Sequence, residues 1–230
     1  MSTSPIDPRP DPLREAAEVM RRVRSECVWS QQMTHRDLVP YLIEEAYELI
    51  DAVETGSADD RREELGDLLW QVLFHAAVAA ESEGAAFDID DVARTITEKM
   101  MRRHPHVFGG ETARTPEEVL VYWNAAKAAE KTARSSVVDG VPRSMPALAR
   151  AHKLLPRAHR VGVQPEAPAA TASEPTRVPT SEEEFGEALL QLVAQARAAG
   201  VDAERALRER LRMLEAEVRR AEADPSLMER

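Results

Sequence analysis

The sequence has few aromatic residues, one cysteine and no long apolar run. Only 4% of its 230 residues are aromatic, and runs of β-branched residues that would form strands are nearly absent. A single cysteine, Cys27, excludes an intrachain disulfide bond and fits a reducing cytosol; we expect it to be a small buried side chain. No stretch approaches the roughly 18 apolar residues of a membrane span, and the N-terminal MSTSPIDPRPDP lacks the apolar core of a signal peptide. These absences predict a soluble, cytoplasmic, all-α protein.

Positive charge is also scarce. Lysine and arginine number 30 against 41 aspartates and glutamates, which gives a net charge of −11. A general nucleic-acid-binding protein would need a basic face, so this balance argues against one. Any polyanionic ligand should therefore be small and held through a metal ion. The 43% of hydrophobic residues is enough to form a core.

The stretch from Tyr41 to Ala80 predicts a helical hairpin around which the chain is organised. Apolar residues recur with helical spacing in both halves of this stretch, and the short connection at 55–60 favours antiparallel helices. The two predicted inward stripes are Leu42, Ala46, Leu49, Ile50 and Val53, and Leu65, Leu68, Leu69, Val72, Leu73 and Ala76.

Each predicted helix of the hairpin carries two carboxylates three residues apart, and that spacing places both on one helix face. The pairs are Glu45 with Glu48 and Glu64 with Asp67, and Glu44 adds a fifth carboxylate. Converging negative charges at an effective dielectric constant of about 20 repel strongly, so they either protonate or hold a cation. Oxygen ligands favour Mg²⁺, with Mn²⁺ as a substitute. A solvated acidic face is the alternative, but an unpaired acidic pair beside the most apolar run of the chain is costly.

These residues resemble the signature of the MazG-type nucleoside triphosphate pyrophosphohydrolases, members of the all-α NTP pyrophosphatase superfamily. The resemblance covers residues 12–163 and rests on Glu44-Glu45-x-x-Glu48, Glu64-Leu65-Gly66-Asp67, the upstream Trp29, Gln32 and Thr34, and the downstream run RRHPHVF at 102–108. The family usually has Cys-Pro-Trp-Asp where this chain has Cys27-Val28-Trp29-Ser30, a difference in the entry loop and not in the acidic motifs.

The resemblance implies a helical bundle, completed by homodimerisation, that hydrolyses nucleoside triphosphates to a monophosphate and pyrophosphate in nucleotide-pool housecleaning. Water attacks a phosphorus surrounded by negative oxygens slowly unless cations neutralise the charge. We expect Glu45, Glu48, Glu64 and Asp67 to hold Mg²⁺. Glu44 is expected to orient a ligand or to take a proton from the attacking water.

Four further residues are candidate substrate-binding groups. Lys99 and Arg103 lie one turn apart near the end of the next predicted helix, a spacing suited to gripping a triphosphate, although the helix dipole also favours cations there. Trp123 and Lys127 have the same spacing on the following helix. Trp123 is either a core residue or a stacking partner for the nucleobase.

Composition, together with the resemblance for residues 12–163, divides the chain into four segments. Residues 1–11, with prolines at 5, 8 and 10, are predicted to be disordered; 12–163 form the catalytic helical domain; 164–180 form a linker rich in proline and alanine; 181–224 form a truncated, degenerate repeat. The repeat is recognised because EEFGEAL at 183–189 matches EELGDLL at 63–69. Its Glu184 and Glu187 provide half of a four-carboxylate site, so we expect a role in packing and not in hydrolysis.

Two other functions are associated with acidic helical bundles. A di-iron carboxylate bundle needs Glu-x-x-His motifs, and the sequence contains none. A non-catalytic acidic dimerisation module remains the alternative, and it would tolerate Glu64→Gln without loss of function.

Overall fold

The computed structural model describes residues 11–130, 136–163 and 179–222, and all regular secondary structure in these ranges is helical. The predicted all-α class is therefore confirmed. Two compact units are present, one ending at Glu130 and the other following it. Most of the predicted disordered N-terminus and of the predicted linker lies outside the described residues, so the four-segment division stays a prediction. Within the described ranges, no helix has the length and apolar character needed to cross a membrane.

The first unit contains six helices among its described residues, with a short 3₁₀ turn, Ser30–Gln32, in the loop before the second helix. The helices are α1 (Pro12–Glu26), α2 (Val39–Glu54), α3 (Ala58–Ala80), α4 (Ile89–Arg103), α5 (Pro105–Phe108) and α6 (Pro116–Ala129). Side-chain caps explain several of the starts. Asp11 accepts a hydrogen bond from the amide of Leu13, with Pro12 at the first helical position, and Thr115 accepts one from the amide of Glu118.

Helices α2 and α3 form the predicted hairpin, joined by residues 55–57. Ser57 and Asp60 form a reciprocal capping box that starts α3. A Cβ atom at Gly56 would lie only 2.8 Å from the backbone of Ala52, so the chain turns out of α2 at a point where only glycine fits without a shift.

The core of the first unit lies chiefly where α1 packs on α3, and Leu38, just before α2, contributes to it. Its buried members are Ala17, Met20, Leu38, Leu73 and Phe74. Met20 and Leu38 are among the largest fully buried side chains described. Because α3 is packed by α1 on one side and by α2 on another, it is the central helix of this unit.

Two expectations about burial are wrong. Val53, predicted to face inward, is 60% exposed, and Leu65 and Val72 are also exposed. Leu73 and Ala76 of the predicted α3 stripe are buried as expected, and Ala52 and Phe74 are buried beside the predicted stripes, so each stripe is correct only in part. Cys27 is exposed as well, because it is the C-cap of α1 and lies beyond the buried positions of that helix.

The second unit contains α7 (Ala147–His159), α8 (Glu182–Ala198) and α9 (Ala203–Glu222), which pack pairwise on one another. Val193 of α8 is fully buried, and the carboxylate of Glu204 accepts a hydrogen bond from the amide of Ala149 at 3.3 Å. Arg157 of α7 donates to the carbonyl oxygens of Val137 and Asp139, both at 3.1 Å, so it holds the turn that precedes this helix.

Arg24 fastens the loop between α1 and α2. Its buried guanidinium donates to the carbonyl oxygens of Ser30 and Met33, the latter at 3.0 Å. It also forms a bidentate pair with Glu81 at the end of α3, at 2.9 and 2.6 Å. One side chain therefore ties α1, the loop and α3 together, and the loop it holds carries Trp29.

We predict that Arg24→Met destabilises the first unit by roughly 2 kcal/mol, because hydrogen bonds to charged groups contribute about this much and the carbonyl oxygens would lose their donor. The measurement is the free energy of unfolding in denaturant. Arg22→Met is the control, since exposed Arg22 makes only an ion pair with Glu26 within α1, and such pairs contribute about 0.3–0.5 kcal/mol. Equal effects of the two substitutions would contradict the assigned role.

Candidate metal-binding site on the helical hairpin

Three carboxylates of the hairpin converge. Glu45 and Glu48 on α2 and Glu64 on α3 each offer one oxygen atom, and these three atoms lie within 4.8 Å of one another. The three-residue spacing on α2 places two of them on one face, and the antiparallel hairpin brings the third from α3. The structure thus brings together three of the four residues that we expect to bind metal.

Asp67, the fourth, is not part of this three-oxygen cluster but lies near it. Its negative charge helps to raise the pKa of Glu45 and of Glu64. Glu44 is exposed on α2. The structure assigns Glu44 no described hydrogen bond, so its role as an orienting group or base stays a prediction.

The cluster is electrostatically strained. Partial burial is the largest cause of a raised pKa at Glu45, followed by the charges of Asp67 and Glu48. The pKa of Glu64 is raised by partial burial first, then by Glu48 and Asp67. Both carboxylates therefore favour a proton, or another positive charge, more than an isolated glutamate does.

The donor set fits a hard divalent cation. Carboxylate oxygens are the ligands that Mg²⁺ and Mn²⁺ prefer, and three of them at this separation from two helices give both negative charge and a defined geometry. Among the described residues, no lysine or arginine is hydrogen-bonded to Glu45, Glu48 or Glu64, so no protein cation neutralises the cluster directly. The site is therefore suited to holding a metal ion.

The candidate substrate-binding residues lie on α4 and α6. Arg103 is 93% buried, with 7% of its surface exposed, and donates from Nε and Nη2 to Glu130, which also accepts from Arg102. These two arginines hold the pKa of Glu130 at about 2. The guanidinium of Arg103 also lies 4.8 Å from the centre of the Trp123 ring. Arg103 and Trp123 are thus brought together, and much of the charge of Arg103 is already paired.

Lys99 lies one turn before Arg103 on α4, and Lys127 lies one turn after Trp123 on α6; both are half-buried. The four candidates therefore cluster on neighbouring helices, since α4 packs on both α3 and α6. Among the described contacts, no hydrogen bond or ion pair joins Lys99 or Arg103 to Glu45, Glu48 or Glu64. Their contact with substrate phosphates stays a prediction.

Sequence reasoning missed two polar residues of α3. Gln71 is 6% exposed and donates from Nε2 to Glu45 at 3.4 Å, while its Oε1 is buried and has no partner among the described residues. His75 follows one turn later, with its Nδ1 2.8 Å from Nδ1 of His35 and its Nε2 likewise buried without a described partner. Both residues could have been found from their spacing, because Gln71 and His75 follow Glu64 and Asp67 at helical intervals. They therefore extend the acidic face of α3 into the apolar half of the helix.

Comparisons with known proteins identify a family model and several relatives that resemble this chain. A family model described as the MazG nucleotide pyrophosphohydrolase domain matches residues 33–108, which include α2, α3 and α4. The chain is 39% identical over 214 residues to the protein named nucleoside triphosphate pyrophosphohydrolase/pyrophosphatase MazG of Thermotoga maritima, and the match covers 86% of this chain and 80% of that protein.

Two further matches differ in extent. The chain is 47% identical over 161 residues to the nucleoside triphosphate pyrophosphohydrolase of Mycobacterium tuberculosis, and the match covers 70% of this chain. It spans only 49%, about half, of that relative's length. A crystal structure of a mazG-related protein from Thermotoga maritima is 27% identical with a TM-score of 0.44, and the match covers 50% of this chain and 98% of that one.

We predict that Glu64→Gln raises the melting temperature of the protein in EDTA, because it removes one of the repelling charges. A raised carboxylate pKa means that the native state is penalised once the pH rises through that pKa, so the gain should be larger at pH 8 and shrink towards pH 4.5. Added Mg²⁺ should stabilise the wild type and give the variant a smaller gain, because a ligand that binds only the folded state raises stability.

Glu98→Gln is the matched control, since Glu98 is an exposed carboxylate on α4 outside the cluster. It should leave both the melting temperature in EDTA and the response to Mg²⁺ close to those of the wild type. A lower melting temperature for Glu64→Gln in EDTA would contradict the repulsion.

Proposed function

This chain belongs to the MazG family of nucleotide pyrophosphohydrolases, and on that premise we propose that it hydrolyses nucleoside triphosphates, ribo or deoxy, to a nucleoside monophosphate and pyrophosphate. The observation that carries the proposal is the convergence of Glu45, Glu48 and Glu64, with Asp67 nearby, on one hairpin. A cluster of unneutralised carboxylates costs stability, and a divalent metal ion bound for catalysis explains its presence. The proposed context is clearance of unwanted nucleotides from the cellular pool.

We assign Mg²⁺, with Mn²⁺ as a substitute, to Glu45, Glu48, Glu64 and Asp67. The ion would supply positive charge next to the phosphate oxygens and so lower the barrier to attack by water. Glu44, exposed one turn before Glu48, is the proposed base or orienting group.

Lys99, Arg103, Trp123 and Lys127 are the proposed contacts to the nucleotide from α4 and α6. Arg103 uses Nε and Nη2 for Glu130, and its Nη1 makes none of the described hydrogen bonds, so this nitrogen is the one available for a phosphate oxygen. Glu130 would then hold the guanidinium in position while the substrate binds. Trp123 lies against that guanidinium and would contribute mainly by fixing its orientation.

We further propose that the first unit forms a homodimer through the outer face of its hairpin. Ile43, Tyr47 and Val53 on α2 and Leu65 and Val72 on α3 are large, apolar and exposed. Ile43 and Tyr47 are one turn apart, so they form a continuous apolar strip along α2. Such a strip beside a functional site is typical of an interface, and a second copy of the chain is the proposed partner.

The catalytic proposal predicts that the wild-type protein releases pyrophosphate, and not orthophosphate, from nucleoside triphosphates in the presence of Mg²⁺. Glu48→Gln and Asp67→Asn should each lower kcat by more than about 100-fold. Removing a residue that only hydrogen-bonds to a metal ligand typically costs up to about 100-fold, so loss of a direct ligand should cost more. The measurement is chromatographic separation of the two phosphate products, together with steady-state kinetics.

The double variant Glu184→Gln/Glu187→Gln is the control, because it changes the same residue types in the repeated motif of α8. It should retain near wild-type activity. Loss of activity in this control with retention in Glu48→Gln would place the working site in the second unit, and full activity of all the variants would favour the non-catalytic acidic module.

The dimer proposal predicts a molar mass of twice the 25.6 kDa chain in light scattering at micromolar concentration. Tyr47→Asp should shift the mass to that of the monomer, because a charge cannot be buried cheaply in an apolar interface. Val121→Asp on α6 is the control, since Val121 is exposed but far along the chain from the strip. A wild-type protein that remains monomeric would refute the proposal.

A further inference from the structure

We propose that Trp29 and Tyr41 form the platform on which the substrate's nucleobase stacks, and that Gln71 lies between this platform and the metal-binding carboxylates as a hydrogen-bond acceptor for the nucleoside. The proposal rests on the proposed function and names a subsite within it. Four observations carry it: the exposure of Trp29, its position along the hairpin, the unpaired oxygen of Gln71 and the occupied ring of Trp123.

Trp29 is 50% exposed although it is held in a fixed loop. Its ring contacts Tyr41 at 5.9 Å and Phe74 at 6.1 Å between ring centres, with interplanar angles of 85° and 64°. Both contacts are edge contacts, so no described aromatic ring lies parallel to Trp29. The buried guanidinium of Arg24 fixes the loop through the carbonyl of Ser30, the neighbour of Trp29. A rigid, half-exposed indole without a stacked partner is suited to receiving a planar ring.

Trp29 contacts the hairpin beyond its carboxylates, at Tyr41 of α2 and Phe74 of α3. On α2, Tyr41 precedes Glu45 by four residues and Glu48 by seven, so the three share a helix face. On α3, Phe74 follows Asp67 by seven residues and is likewise on its face. With a rise of 1.5 Å per residue, the aromatic contact lies about 6–10 Å beyond the carboxylates along the hairpin. A nucleotide with its phosphates at the metal could extend its sugar and base in this direction.

Gln71 occupies the interval between the carboxylates and the aromatic contact. It donates to Glu45 through Nε2, and its Oε1 is buried and has no partner among the described residues. A buried acceptor without a donor is unfavourable, so a ligand that brings a hydroxyl or amino group to it would be stabilised. A sugar hydroxyl group or an exocyclic amino group provides such a donor.

Trp123, the other candidate for stacking, is less available. The guanidinium of Arg103 lies 4.8 Å from its ring centre, and the imidazole of His104 contacts it edge-on at 5.4 Å. Its ring is thus engaged by α4. Trp29 also remains accessible in the proposed dimer, because Ile43 and Tyr47 lie on the opposite side of α2 from Tyr41.

The test compares ligands with and without a nucleoside. Trp29→Ala should raise KM for ATP roughly tenfold with little change in kcat, since stacking of one base contributes about this factor. The inhibition constant of inorganic tripolyphosphate, which has no base or sugar, should be unchanged. Trp29→Phe should restore most of the affinity for ATP, and Trp123→Ala should not show this selective loss.

A second measurement does not depend on turnover or on the stability of Trp29→Ala. In the full chain carrying Trp70→Phe and Trp123→Phe, Trp29 is the sole tryptophan, since the sequence contains three. A non-hydrolysable α,β-methylene analogue of ATP with Mg²⁺ should quench its fluorescence, and tripolyphosphate should not. This titration still reports on the platform if the protein proves to hydrolyse no triphosphate, so the two proposals can fail separately.

Three outcomes would overturn the platform. One is an equal loss of affinity for ATP and tripolyphosphate in Trp29→Ala, which would indicate general damage to the site. Another is a selective loss of ATP affinity in Trp123→Ala with none in Trp29→Ala. The last is equal quenching, or none, by the nucleotide analogue and tripolyphosphate in the single-tryptophan protein.

Discussion

Repulsion among the carboxylates of α2 and α3 is the constraint on which the arrangement of the first unit depends. Glu45 and Glu64 are partly buried, and the pKa of each carboxyl group is raised. Holding these two charges together therefore lowers the stability of the hairpin. That cost is offset by apolar packing further along α3, where Phe74 and Leu73 meet Met20 of α1. The central helix thus has two regions of opposite character, an apolar one that stabilises the fold and an acidic one that opposes it.

Two other buried charged side chains of the first unit are each paired with an opposite charge, and the acidic cluster differs from them in this respect. Arg24 is paired with Glu81 across 57 residues of sequence, and Arg103 is paired with Glu130 between α4 and α6. Both arginines are buried and make several hydrogen bonds, as buried charges must. Glu45, Glu48 and Glu64 are bonded to no lysine or arginine among the described residues. Where a chain pairs its other buried charges, unpaired ones indicate a site for a cation from solution.

Local periodicity was enough to predict the hairpin and the convergence of its carboxylates, because spacing along a helix fixes which side chains share a face. It could not predict partners that are distant in sequence. The anchoring of the Trp29 loop by Arg24 depends on Glu81, and the place of Gln71 depends on how α2 and α3 are rotated against each other. The same limit explains Val53: an apolar stripe can be recognised from spacing, but which of its members become buried depends on how α2 packs on α3, which spacing does not encode.

The repeated motif in α8 shows that a hairpin, and not a motif, makes this kind of site. Glu184 matches Glu64 in sequence, yet its carboxylate accepts from the amide and hydroxyl groups of Thr180 at the start of α8, at 2.7 and 2.9 Å. Glu187, which matches Asp67, accepts from Gln191 of its own helix at 3.2 Å. The helix that precedes them among the described residues, α7, contains no aspartate or glutamate. Without an acidic helix before it in a hairpin, α8 uses the same residue types as local hydrogen-bond acceptors, so the chemistry of the motif depends on its partner helix in the hairpin.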